Sequence, residues 1–189
     1  MLDKAVGFLT DEVNAYLRKR TGDTGDVVDS GTIVDDAGKW TVPDGQMRLS
    51  LINIEEERVT RSQVPERRYV DGHHVVLQPD LKLNLLVMVA ARLKLYSDSL
   101  RYLSLVMTFF QSHPTFNATD DPALDPRIAR LNVELLSYGP EQLNQLWAYV
   151  GGKYLPSVLY RIRLITLQDE EPMAIGQPIV EIDTAVHAS

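Results

Sequence analysis

The sequence predicts an α+β fold: a single mostly antiparallel or mixed sheet with helices packed on one face. Three observations carry this. A helix-period stretch at 143–150 stops sharply at Gly151-Gly152 and gives way to a strand-period stretch at 158–164, so helices and strands alternate without a regular parallel repeat. The run 81–93 is apolar enough to lie centrally in a sheet. The length, 189 residues, suffices for one domain with a real core.

Residues 3–20 read as an amphipathic helix, with Val6, Leu9, Val13, Tyr16 and Leu17 on one stripe and Asp3 as N-cap. Arg18, Lys19 and Arg20 then place cations at the negative end of the helix dipole. After a loop at 21–26, Val27 and Val28 begin a short strand, and 31–40 forms a hairpin-like excursion. In the strand at 47–55, Met47, Leu49 and Leu51 alternate with Arg48 and Ser50. Residues 56–79 read as a long polar loop in which Glu55, Glu56 and Glu57 precede Arg58, Arg61, Arg67 and Arg68; loops of this length usually act in function or bind a partner.

The 81–93 strand carries Leu81, Leu83, Leu85, Val87 and Val89 on one face, and its second half is apolar on both. A helix follows from Ser97, Asp98 and Ser99 to about residue 112, with a stripe of Leu100, Leu103, Met107 and Phe110 read as core; the other reading of that stripe is a partner groove. His113 caps it before Pro114. A loop at 115–126 leads to a strand at 130–138 with Leu131, Val133 and Leu135 on one face. Pro140 then suits the first position of a helix whose stripe is Leu143, Leu146, Trp147 and Val150, and Gly151 with Gly152 stops it. In the last strand Val158, Tyr160, Ile162 and Leu164 point one way, Arg161 and Arg163 the other. The boundaries follow: one domain over 1–168 and an extended C-terminal arm over 169–189.

Composition narrows the function. A net charge of −7 disfavours non-specific nucleic-acid binding, which needs clustered Lys and Arg. With no cysteine, disulfides, thiolate catalysis and zinc–cysteine sites are excluded, and folding in the cytoplasm is the expectation. The start of the chain lacks a signal-peptide layout. The longest apolar run, 85–91, is far short of the ~20 residues of a membrane span, so no membrane insertion is expected.

Catalytic patterns are missing. No Gly-x-Ser-x-Gly elbow occurs, and Gly151-Gly152-Lys153 has neither the upstream Gly nor the following Ser or Thr of a phosphate loop. His73 and His74 point to opposite faces if extended, and Asp23 with Asp26, or Asp120 with Asp121, lack the spacing and closing Glu of a calcium loop. No catalytic residue, cofactor or metal site is therefore assigned. Arg161 and Arg163 face either solvent or the acids of a partner. The arm is either a free tail or a strand added to a neighbouring subunit.

The run Leu146-Trp147-Ala148-Tyr149-Val150-Gly151-Gly152-Lys153-Tyr154-Leu155-Pro156-Ser157-Val158-Leu159-Tyr160-Arg161-Ile162-Arg163 resembles the cap or tail-terminator protein family of contractile injection systems, which are phage-tail-like particles. Supporting matches are Asn53-Ile54-Glu55, residues 83–87, the helix at 102–110, and His113-Pro114 with Phe116. The resemblance implies a tail-terminator-like fold and structural work. Such caps are homohexameric rings that close the end of tube and sheath distal to the baseplate, with terminal sheath and inner-tube subunits as partners. It implies assembly in the cytoplasm and then a place in the particle, leaving release from the cell open. Interface candidates are Glu55, Glu57, Arg58, Arg61, Arg67, Arg68, Arg161 and Arg163, with Ile175, Ile179 and Ile182 of the arm. Two other readings stand beside this one: a monomeric adaptor that anchors or loads the particle, and a small hydrolase without a recognisable motif.

Overall fold

A computed structural model describes residues 1–57, 66–70, 73–77, 82–151, 153–166 and 174–176, with backbone alone at 66–70, 73–77, 165–166 and 174–176. The elements are α1 (Leu2–Thr21), β1 (Val28–Ser30), β2 (Gln46–Glu56), β3 (Glu66–Val70), β4 (His73–Leu77), β5 (Lys82–Arg92), α2 (Tyr96–Ser112), β6 (Thr115–Phe116), β7 (Ile128–Leu136), α3 (Pro140–Val150), β8 (Ser157–Thr166) and β9 (Ala174–Gly176). Six strands form the main sheet in the order β1-β2-β5-β8-β7-β6. β1 runs parallel to β2 and the other pairs are antiparallel, which makes the sheet mixed, and β5 is internal as expected.

Because β5 is apolar on both faces, both need cover. On one face Leu85, Val87, Val89, Leu131, Ile162 and Leu164 pack with Leu9, Val13 and Leu17 of α1 and with Leu103, Val106, Phe109 and Phe110 of α2. On the other, Met88, Ala90 and Leu159 pack with Leu146 and Trp147 of α3 and with Ile33 and Val42 from the excursion after β1. The α+β class and mixed sheet are as the sequence indicated. Two helices share one face, while α3 covers the opposite one, because Met88, Ala90 and Leu159 would otherwise lie in water.

Two expectations are corrected within the helices. Leu100 and Met107 are 44% and 36% exposed, so they are not core; the buried side of α2 is Ser99, Leu103, Val106, Phe109 and Phe110. The stripe is rotated because the Ser99 hydroxyl turns inward and accepts the Leu93 N–H at 3.2 Å, tying the start of the helix to the end of β5. α1 starts at Leu2, so Asp3 lies in its first turn rather than at the N-cap. The other caps follow expectation: Pro140 opens α3, Gly151 closes it in the left-handed region (φ 77°), and the His113 N–H bonds the Phe109 carbonyl after α2.

The stretch read as a 56–79 loop holds an antiparallel hairpin, Val70 opposite His73 and Glu66 opposite Leu77, and β9 pairs with β4 to make a second, three-stranded sheet. The signal was in the sequence: Asp71-Gly72, after Tyr69-Val70 and shortly before Val75-Val76, is a preferred hairpin dipeptide. The first part of the expected arm thus pairs within its own chain.

Candidate assembly surfaces

The two edges of the main sheet are built differently. At the β1 edge, the guanidinium of the buried Arg48 donates to Asp29 Oδ2 (2.6 Å), the Ser30 carbonyl (3.3 Å) and the Thr41 carbonyl (2.7 Å). Arg92 adds a bond to the Val42 carbonyl (2.8 Å) and an ion pair with Asp44 (2.9 Å). Together they strap the excursion after β1, itself closed by the Val34–Trp40 bridge, across that end of the sheet. Beneath it, Asn14 of α1 satisfies Val27 N–H, Val28 N–H and the Val28 carbonyl at 3.1, 2.9 and 2.7 Å. Sequence alternation placed Arg48 on the polar side of β2 and gave no sign that this side is covered.

The β7 edge is open. β6 pairs only with Leu131 and Asn132, and Val133 donates to the Pro114 carbonyl at 2.8 Å. Beyond that point no described strand lies against β7 on this side. Beside the open stretch a groove of about 610 Å³ runs between α2 and the sheet, lined by Met107, Phe110, Pro114, Val133, Leu135 and Tyr160 among others, none of its lining residues charged. Leu135 is 51% exposed. Tyr160 is 2% exposed, and its hydroxyl has no hydrogen-bond partner among the described residues; burial pushes its pKa upward.

On the opposite face, Arg161 and Arg163 both approach Glu134, at 3.6 and 3.9 Å, with Arg130 exposed on the same side of β7. Glu55 accepts from the Asn53 amide at 3.1 Å and Glu57 from the Asn84 amide at 3.0 Å, so both lie near the far end of β2. Arg67 and Arg68 lie opposite Val76 and Val75 in the small sheet, where Ile175 also pairs with Val75. Arg58, Arg61, Ile179 and Ile182 lie outside the described residues. The described members of the expected set are thus divided among the far end of β2, the small sheet and the β7–β8 face. The groove beside Leu135 and Tyr160 was not among the expected sites; the exposed Met107 of the misread α2 stripe lines it.

A second cavity, about 460 Å³, is lined by Asp3, Asp11, Glu12 and Asp125 beside Lys4 and the 122–126 turn. Asp125 is bound by its own neighbour Arg127 at 3.0 and 2.7 Å, which holds its carboxyl well below the usual range and makes the pair a turn latch. Glu12 is shifted upward, first by burial and then by Asp121. Asp23 is shifted downward mainly because it accepts the Tyr102 hydroxyl. Among the described residues no three His, Asp or Glu side chains are grouped to hold a metal ion, and no helix is long and apolar enough to cross a membrane.

The model of the Pvc16 N-terminal domain family matches residues 6–181. The chain belongs to that family. The resemblance carried by the α3–β8 run is therefore borne out. Two solved structures have the same fold. One is the sheath/tube terminator of PVC, an extracellular contractile injection system, in its extended state: TM-score 0.59 and 13% identity over 95% of this chain and 62% of the other. The other is the tube-terminating cap of the anti-feeding prophage: TM-score 0.55 and 16% identity over 93% of this chain and 59% of the other. The chain thus spans about three fifths of the length of each. No curated protein matches.

Proposed function

We propose that the chain is a structural cap subunit that terminates the tube and sheath of a contractile injection system as a homohexameric ring, not an enzyme. The observation that carries this is the fold shared with two such terminators over 93% and 95% of the chain. Terminal sheath and inner-tube subunits are its partners. It assembles in the cytoplasm and stays in the particle. A ring needs head-to-tail contacts that close, and a fold with one strapped edge and one open edge supplies unlike surfaces for such contacts. In this reading Arg161 and Arg163 face a neighbour's acids, and the charged segment from Glu55 to Arg68 and the arm from residue 173 onward reach adjacent subunits. Negative-stain images of the purified chain test it: closed six-fold rings are expected, and their loss on deleting 173–189. A uniform monomer at high concentration would overturn the ring, and rings that survive the deletion would remove the arm from it.

A further inference from the structure

We propose that the groove between α2 and β7 is the docking site for residues 179–186 of a second copy of this chain, which adds as a strand to the open edge of β7. This deepens the ring reading and rests on its claim that copies of the chain assemble.

The receiving side has three features that fit a strand. The edge of β7 past Val133 carries backbone groups with no described strand against them. The groove beside that edge is uncharged and mostly apolar, with Met107 and Leu135 on its rim and Ser104, Thr108 and Gln111 as its polar lining. Within it the Tyr160 hydroxyl, fully buried, has no partner in the isolated chain, a costly arrangement that an arriving polar group would relieve.

The sequence 179–186, Ile-Val-Glu-Ile-Asp-Thr-Ala-Val, fits in turn. Val180, Ile182, Thr184 and Val186 fall on one strand face and are all β-branched, with the Thr184 hydroxyl the one polar group among them. Glu181 and Asp183 fall on the other. Laid against β7 with the β-branched face over the groove, these acids join the sheet face on which Arg130, Arg161 and Arg163 lie beside Glu134. Largely apolar meets apolar, and acids meet arginines.

The donor is a second copy because the ring reading needs contacts between copies, and the strapped β1 edge and open β7 edge are unlike surfaces that suit head-to-tail addition. Between the start of β7 and the groove the edge is taken by β6, and closure within one chain is an outcome that the test distinguishes.

The chain has no cysteine, so engineered disulfides report contacts without background. Full-length Leu135→Cys is mixed with full-length Val180→Cys, Ile182→Cys or Thr184→Cys, and separately with Glu181→Cys or Asp183→Cys, then mildly oxidised. A covalent dimer is expected from at least one of the first three, at least tenfold more than from either acid position. No dimer, equal dimer at all five positions, or closure only within one chain in a Leu135→Cys/Ile182→Cys double variant would overturn the proposal. Mass photometry of the same samples before oxidation separates the two readings: rings without cross-links keep the cap and remove this docking site, while cross-links without rings do the reverse.

Discussion

The two edges of the main sheet solve the same problem in opposite ways. An edge strand leaves backbone groups unpaired and invites another chain. At the β1 edge the molecule closes itself: Arg48 and Arg92 hold the excursion by charge-assisted bonds to carbonyls and carboxylates, and Ile33 and Val42 seal it from below. At the β7 edge the cover is a two-residue strand, and an apolar groove with an unpartnered tyrosine hydroxyl is left open beside it. On the docking proposal, the contrast assigns stability to one edge and association to the other.

Substitutions can break or sharpen that contrast, and the largest effect belongs to the closed edge. Arg48→Ala removes bonds to Asp29, Ser30 and Thr41 and empties a buried site; a loss of about 2–4 kcal/mol is expected in urea unfolding. A loss below about 1 kcal/mol would mean the strap holds nothing.

The open edge should respond with the opposite sign or not at all. Tyr160→Phe deletes a hydroxyl that has no partner in the isolated chain, so unfolding free energy should be unchanged or rise by up to about 1 kcal/mol, measured where the chain is monomeric. A clear drop would show that the hydroxyl is already satisfied. Leu135→Asp, at a half-exposed position, should stay within about 0.5 kcal/mol of the parent in stability while weakening self-association.

The smallest expected effect lies away from both edges. The folded pKa of Asp125 is depressed by Arg127, so its contribution to stability is present above the unfolded carboxylate value, near 3.9, and is lost as pH falls toward the folded one. Asp125→Asn should therefore be slightly less stable than the parent at pH 7, with the gap closing in acid. A gap that widened on acidification would contradict the latch.

What the sequence made legible follows from which signals are local. α3 and β8 were readable because proline, glycine and a clean change of period mark them, and β5 because its two apolar faces leave it only an internal place. The face assigned to α3 was not, since periodicity says that a helix has a buried side but not which layer buries it. On α2 two apolar stripes overlap at Leu103 and Phe110, and only the Ser99–Leu93 bond decides between them. The β3–β4 hairpin was missed although Asp71-Gly72 announces it, because the flanking charges suggested a loop. Arg48 could not be read as a strap, nor the groove as a site, because both depend on residues brought together from distant parts of the chain.

The most direct test of the contrast is mass photometry of the full-length chain beside Leu135→Asp and Arg48→Ala. The parent is expected as a six-copy species. Leu135→Asp is expected as monomer, with the parent's melting temperature at concentrations where both are monomeric, and Arg48→Ala with a lowered one. If Leu135→Asp assembles like the parent, the open edge is not where the subunits meet.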